Sequence, residues 1–299
     1  MKNESKTALI TGIQGFTGRY MQAELVAAGY RVVGLGSRPQ TDKDYHQVDL
    51  LNSVALTRAI LEIQPKVVVH LAAVAFVGHE NSNAFYETNL LGTRNLLAAI
   101  ATLDDSPECV LLASSANVYG NTTGGSLSED TCAVPANDYA VSKLAMEYMA
   151  KLYSTTLPIV IARPFNYTGV GQSDNFLIPK IVSHFRSRAT IIELGNLDVS
   201  RDFGDVRSVV QAYRRLLETP SAAGQTVNVC SGNAYSLRET IAMCTAITGH
   251  TLDVKVNPAF VRANELKTLL GNASRLRSLI GEWESVPLQS TLQWMLAGN

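Results

Sequence analysis

Thr7-Ala8-Leu9-Ile10-Thr11-Gly12-Ile13-Gln14-Gly15-Phe16-Thr17-Gly18 is the stretch on which the reading of this chain turns. Its first five residues form a short apolar, branched run bounded by glycine, the signature of a buried strand. The glycines then recur every third residue and lead into a segment of helical period. In such a place each glycine has its own reason. Gly12 permits a tight turn, Gly15 lets backbone amides approach a pyrophosphate at the helix amino terminus, and Gly18 allows close packing of helix on strand. Gln14, Phe16 and Thr17 sit within the same turn and are candidates for contact with a bound dinucleotide. Glycine spacing alone says little; a strand before it and a helix after it give it meaning.

The alternation continues outward from this unit. Apolar runs over 31–35, 45–48, 67–71, 110–114 and 159–163 predict further strands, with 226–229 joining later. Helical periodicity over 15–28, 54–63, 83–102 and 139–154 fills the gaps. Strand and helix in turn build parallel βαβ units, so the expected class is α/β with a doubly wound parallel sheet. Beyond Arg163 the alternation weakens, and Pro164, Pro179, Pro220, Pro258 and Pro287 punctuate shorter elements. Helices are expected over 176–188, 237–248 and 288–296, and the segment 205–218 is read as returning to the main sheet. The division is therefore residues 1–165 plus about 205–230 for dinucleotide binding, and 166–204 with 231–299 as a smaller mixed α/β lobe. A polar loop over 121–128 is placed to cover a cleft.

Composition sets the limits. The 299 residues are 46% hydrophobic and 17% charged, enough for a large core. A net charge of -1 offers no basic field, which speaks against nucleic acid and anionic membrane as partners. The polar start, Met1 to Lys6, carries no signal peptide or membrane span, so cytoplasmic residence is expected. Cys109, Cys132, Cys230 and Cys244 are scattered, without the paired spacing of zinc or redox sites, and are read as reduced and mostly buried. The five histidines likewise show no metal-ligand spacing, so no metal is expected.

Where an acidic residue would accept from the adenosine ribose, the end of the second strand reads Leu35-Gly36-Ser37-Arg38. A cation there suits a 2′-phosphate, which favours NADP over NAD. Asp49, with its neighbour Leu50, is placed for the adenine amino group, and Leu71, Ala72 and Ala73 offer a small-residue wall against the cofactor.

Two segments carry the chemistry: Ser114-Ser115-Ala116-Asn117 at a strand end and Tyr139-Ala140-Val141-Ser142-Lys143 opening a helix. Residues i and i+4 share a helix face, so Lys143 is expected beside the Tyr139 phenol, lowering its pKa from about 10 towards neutrality. Tyr139 would then exchange a proton with a carbonyl or alcohol, and Ser115 would steady the same oxygen.

These motifs together resemble the extended short-chain dehydrogenase/reductase family, over essentially the whole chain, and within it the enzymes of nucleotide sugars. The resemblance implies a Rossmann lobe, a Ser-Tyr-Lys site and a carboxy-terminal lobe for the sugar nucleotide. Lys143 then also holds the nicotinamide ribose. In Arg163-Pro164-Phe165-Asn166, Pro164 approaches nicotinamide and Asn166 reaches the substrate phosphates, with Asn117 also on the substrate side. Asn175, Phe176 and Lys180 are similar to the base pocket, and Arg201 is placed for the diphosphate. Arg262-Ala263-Asn264-Glu265 is similar to a segment of GDP-mannose dehydratases and GDP-4-keto-6-deoxy-mannose reductases in which the arginine grips diphosphate and the glutamate takes ribose hydroxyls.

Elimination of water needs an extra acid and base, which the dehydratases supply as a carboxylate next to the catalytic Ser/Thr. Ala116 and Asn117 stand at those positions. Ketone reduction is therefore the expected reaction: NADPH (NAD as second choice) acting on a GDP-linked 4-keto-6-deoxy sugar, giving GDP-D-rhamnose or its C4 epimer GDP-6-deoxy-D-talose for deoxysugar and lipopolysaccharide biosynthesis. Two alternatives stay open, a reductase or 4-epimerase of a dTDP- or UDP-sugar, and a non-catalytic NADP-sensing binding protein. The resemblance also implies a homodimer through a four-helix bundle formed by 83–102 and 139–154.

Overall fold

The computed structural model describes residues 5–75, 81–121, 125–260 and 267–298. The chain runs β1 (Thr7–Thr11), α1 (Phe16–Ala27), β2 (Arg31–Gly36), β3 (Tyr45–Gln47), α2 (Ser53–Ile63) and β4 (Val67–His70). A rod follows, made of α3 (Asn83–Phe85), a π-helical stretch (Tyr86–Gly92) and α4 (Thr93–Ile100), and then β5 (Cys109–Ala113), β6 (Ser126–Leu127), α5 (Asp138–Lys151) and β7 (Ile159–Pro164). The remainder comprises β8 (Asn166–Thr168), α6 (Leu177–Arg186), β9 (Ile191–Leu194), β10 (Ser200–Asp205), α7 (Val206–Leu217) and β11 (Thr226–Val229). It closes with β12 (Ala234–Ser236), α8 (Leu237–Thr248), β13 (Asp253–Val256), β14 (Thr268–Gly271), α9 (Ser274–Ile280) and α10 (Leu288–Ala297).

Seven parallel strands in the order β11-β7-β5-β4-β1-β2-β3 form the central sheet. Its strands are apolar on both sides because both faces are covered. Ala8, Ile10, Val67, Val69, Leu111 and Val160 point to one layer, against α1, α7 and α9. Leu9, Val68, Val110, Leu112, Ile159 and Ile161 point to the other, against Leu56 and Ile60 of α2, Leu96 and Leu97 of α4 and Met146 of α5. The doubly wound sheet expected from the alternation is thus the observed core.

The smaller sheet has the order β12-β10-β14-β6, with β8 beside β10, and β13 pairs β9 separately. Two elements lie across the division drawn on the sequence. Leu127, from the amino-terminal half, is carried into the smaller sheet by pairing of β6 with β14. Conversely Leu276 and Ile280 of α9, a helix the periodicity did not announce, join the core beneath the central sheet. Residues 122–124 of the polar loop lie outside the described residues. The expected helix over 83–102 is present, but its middle is π-helical from Tyr86 to Gly92, a change of winding that apolar spacing does not reveal. No helix among the described residues is long and apolar enough to cross a membrane. Cys109, Cys230 and Cys244 are buried, Cys132 is exposed, and all four are free.

Candidate active site

The glycine turn after β1, the Ser115 segment after β5 and the Pro164 segment at the end of β7 leave the carboxyl edge of the central sheet, where ligands of open α/β sheets bind. After β1 the chain turns at Gly12, whose φ of +72° favours glycine. A Cβ there would lie 2.7 Å from the Ala72 nitrogen, and one on Gly18 would lie 2.3 Å from the Gly12 oxygen. These two glycines are required by close packing. Gly15 differs: an added Cβ would meet only the Gly12 oxygen, at 3.1 Å, so its outer side is open. It is also the N-cap of α1, with no side-chain cap and no acidic residue in the first turn. The first amides of α1 are therefore uncapped by side chains, the arrangement that receives a diphosphate. Thr17 is tied to the Tyr167 hydroxyl at 2.8 Å, and the Phe16 ring stacks on Tyr167, so both also brace the turn against β8.

The rim of this turn is polar and exposed. Gln14 donates to Gln40 Oε1 at 3.1 Å, and the Arg38 carbonyl is held by Tyr45 Oη while its guanidinium has no ion pair among the described residues. Asp49 is exposed, its Oδ1 accepting from the Leu51 amide, whereas Leu50 is buried. Leu71, Ala72 and Ala73 are partly exposed after β4.

Helix α5 begins at Asn137, whose side chain caps the Ala140 amide at 2.9 Å and so fixes where Tyr139 starts the helix. Tyr139 is 8% exposed and packs edge-on against Phe85. The Ser115 hydroxyl hydrogen-bonds its phenol and also accepts from the Asn117 amide at 3.1 Å. Lys143 is buried, with Nζ donating to the Ala113 carbonyl at 2.8 Å. The structure thus gathers Ser115, Tyr139 and Lys143 at the end of β5.

It overturns one expectation, that Lys143 lowers the Tyr139 pKa. Burial dominates and pushes the phenol up to about 12, with Ser115 pulling down and Tyr167 adding to the rise. Lys143 is itself lowered to about 8 by burial, against the opposing charge of Glu147. A lysine drawn to a carbonyl and facing a carboxylate stabilises no phenolate; Tyr139 stays a proton donor.

Beneath these residues lies a group the sequence did not disclose. Glu147, one turn beyond Lys143, accepts from Ser114 Oγ at 2.5 Å and from Arg163 Nε and Nη2 at 2.9 and 2.6 Å. Arg163 also donates to the Tyr119 hydroxyl at 3.0 Å, and Tyr119 donates to Asn228 Oδ1 at 2.7 Å. Asn228 Nδ2 reaches the Leu127 carbonyl at 2.9 Å. The floor of the site therefore joins α5, β5, β7 and β11 to the smaller sheet. The available signal was Arg163 itself, since a charged residue in an otherwise apolar buried strand needs a buried carboxylate.

On the other side of the cleft, Pro164 ends β7 paired with Val229, and exposed Asn166 in β8 pairs Phe203. Phe165 is turned into a core with Tyr119 and Leu269. Arg201 of β10 is partly buried, with Nη1 donating to the Ser200 carbonyl. Lys180 donates to the Glu193 carbonyl at 2.9 Å and lies 4.7 Å from the Phe260 ring centre, while Asn175 and Phe176 are exposed. Arg262 and Glu265 lie outside the described residues.

The glycine turn and Ser-Tyr-Lys floor coincide with a family match. A model of the GDP-mannose 4,6-dehydratase family covers residues 9–295. The chain belongs to that family. Among curated relatives, GDP-6-deoxy-D-talose 4-dehydrogenase of Aggregatibacter actinomycetemcomitans is 36% identical over 234 residues, 78% of this chain and 79% of the relative. GDP-6-deoxy-D-mannose reductase of Pseudomonas aeruginosa is 34% identical across 96% of this chain and 95% of its own length. Among solved structures, a Burkholderia cenocepacia J2315 protein provisionally described as an epimerase superposes with a TM-score of 0.92 at 52% identity, covering 98% of this chain and 97% of that one. RMD from Pseudomonas aeruginosa, complexed with NADPH, gives a TM-score of 0.86 at 33% identity, covering 98% of both chains. The expectation of an oxidoreductase of the nucleotide-sugar branch is borne out by these relatives.

Proposed function

We propose that this protein is an NADPH-dependent 4-ketoreductase of a GDP-linked 6-deoxy sugar, acting on GDP-4-dehydro-6-deoxy-D-mannose to give GDP-D-rhamnose or its C4 epimer. The observation that carries the reading is the composition of the catalytic floor. Tyr139 is a buried, protonated phenol, and the positions after Ser115 hold Ala116, buried, and Asn117, whose amide is tied to Ser115. The carboxylate bonded into this segment, Glu147, is locked by Arg163 and is not free for acid-base work. Reduction needs one proton donor, and this site has one; elimination would need a further acid-base pair.

The uncapped start of α1 and the open side of Gly15 fit a dinucleotide diphosphate, with Arg38 at the rim for a 2′-phosphate. Bound there, the nicotinamide supplies the hydride. Ser115 orients the substrate oxygen, Tyr139 donates its proton to that oxygen, and Lys143, on the resemblance of its segment, holds the nicotinamide ribose. Asn166, Asn175, Phe176, Lys180, Arg201, Arg262 and Glu265 are assigned to the GDP moiety on the resemblance of their segments. Leu91 of the rod and Val141, Tyr148 and Leu152 of α5 are exposed apolar residues, which supports a homodimer across these helices. Free cysteines support a cytoplasmic setting.

The test mixes the protein, NADPH and enzymatically made GDP-4-keto-6-deoxy-mannose and identifies the product by mass spectrometry and NMR. Two mass units gained with NADPH oxidised, and weaker use of NADH, UDP- and dTDP-sugars, is the expected result. No oxidation with any 4-keto sugar ends the proposal. The description of the Burkholderia relative favours an epimerase as second reading; a 4-epimerase predicts interconversion of 4-hydroxy sugars without net NADPH oxidation.

A further inference from the structure

A second line of buried polar residues runs beside the site, and the proposed reaction does not use it. Thr11, His70, Asn89, Thr93 and Ser142 are each no more than 2% exposed. Their hydrogen bonds have one direction. Thr93 Oγ1 donates to the Asn89 carbonyl at 2.7 Å, so its 2.8 Å contact with His70 Nε2 is one in which the imidazole donates. His70 then bears its proton on Nε2, and Nδ1 accepts from Thr11 Oγ1 at 2.7 Å. Thr11 Oγ1 in turn accepts from the Ala72 amide at 3.2 Å.

At the far end, Asn89 Nδ2 donates to Ser142 Oγ at 3.0 Å, and Ser142 Oγ donates to the Tyr139 carbonyl at 2.8 Å. Asn89 also exchanges a pair of bonds with the Val74 backbone, at 2.9 and 3.1 Å. The line thus starts at Thr11, immediately before Gly12, crosses the end of β4, passes through the rod and ends in the first turn of α5. Asn89 lies inside the π-helical stretch, a winding that recurs at functional sites. Burial and the charge of Lys143 hold His70 neutral, with its pKa lowered to about 3.

We propose that His70 and Thr93 are positioning residues whose hydrogen-bond line, running on through Asn89 and Ser142 with His70 as the Nε2–H tautomer, fixes Tyr139 and the first turn of α5 against the dinucleotide turn. The proposal rests on the reading of Tyr139 as proton donor and deepens it. Thr93 is the place to cut the line: Thr93→Val removes the hydroxyl at constant shape, and Thr93→Ser restores it.

Three measurements on the full-length protein decide the matter. Nitrogen NMR of 15N-histidine-labelled wild type is expected to show His70 protonated on Nε2 alone at neutral pH, a form that Thr93→Val loses. Amide exchange over Tyr139–Lys143 is expected to quicken about tenfold in Thr93→Val, with the sheet amides unchanged and Thr93→Ser within about twofold of wild type. Turnover is expected to drop about tenfold in Thr93→Val with KM for NADPH within about twofold, and to recover in Thr93→Ser. A His70 protonated on Nδ1 or doubly protonated overturns the proposal. So does unchanged exchange and turnover in Thr93→Val, or a uniform quickening of all slow amides, which marks a merely structural role. A wild type that turns over no GDP-linked ketone counts against the proposed reaction; the tautomer and exchange measurements still decide this inference.

Discussion

Glu147 and Arg38 are charged residues beside the same site, and the protein treats them in opposite ways. Glu147 is 3% exposed and receives two bonds from Arg163 and one from Ser114. Arg38 is exposed, held through its backbone by Tyr45, and its guanidinium has no ion pair among the described residues. The buried group ties Ser114, next to Ser115, to the helix that carries Tyr139 and Lys143, and the exposed one faces solvent. Damage to the floor should therefore cost turnover and stability, whereas damage to the rim should alter ligand choice and leave the fold intact.

The sharpest test of the floor is Tyr139→Phe. Turnover should fall about 10³-fold, the scale of a lost general acid, with NADPH affinity unchanged in a fluorescence titration. Near-native turnover would remove Tyr139 from the chemistry. Next comes Glu147→Gln, which leaves the Arg163 guanidinium buried without its counter-charge and should cost about 3–5 kcal/mol in urea unfolding. The double variant Glu147→Gln/Arg163→Met should recover much of that loss; a single-variant cost under about 1 kcal/mol would show the pair to be dispensable.

A pH profile probes the same floor without mutation. Lys143 has its pKa lowered to about 8 and loses its charge as pH rises through that value, while Tyr139, raised to about 12, keeps its proton. The reductive kcat/KM should therefore be full below pH 8 and fall about tenfold per pH unit above it. A profile flat to pH 10 would contradict this assignment. At the rim, Arg38→Ser should cut the preference for NADPH over NADH about tenfold, read as the ratio of kcat/KM values, with unfolding unaffected. The smallest effect belongs to Tyr213, whose buried hydroxyl has no hydrogen-bond partner among the described residues. Tyr213→Phe should raise stability by about 1 kcal/mol without touching kinetics; a clear loss would reveal a partner for that hydroxyl.

Legibility in the sequence followed locality. The strands over 7–11 and 226–229 and the helix over 237–248 stand where the apolar pattern put them, because their burial is decided by neighbours a few residues away. The small sheet was not legible. Ser-Arg-Asp-Phe-Gly-Asp of β10 reads as a polar loop, yet Asp202 is fully buried, accepting from the Ser231 amide and hydroxyl and from the Gly232 amide. Glu147 at the fourth position after Lys143 reads as a solvated helix residue, and its partner lies 16 residues onward in another strand. The shift of Tyr139 was misjudged for the same reason: spacing gives proximity to Lys143 but not the extent of burial or the direction in which the ammonium points.

The two-residue strand β6 has a mechanical consequence. Leu127 is held by Asn228 Nδ2 at 2.9 Å on one side, and its carbonyl also accepts from the Asn272 amide at 2.9 Å, beside the pairing of β6 with β14. A rivet of this kind joins the central sheet, through Asn228 of β11, to the smaller one. Moving one sheet away from the other would break the Asn228 bond, so this short strand ties the placement of the smaller sheet to that of the larger.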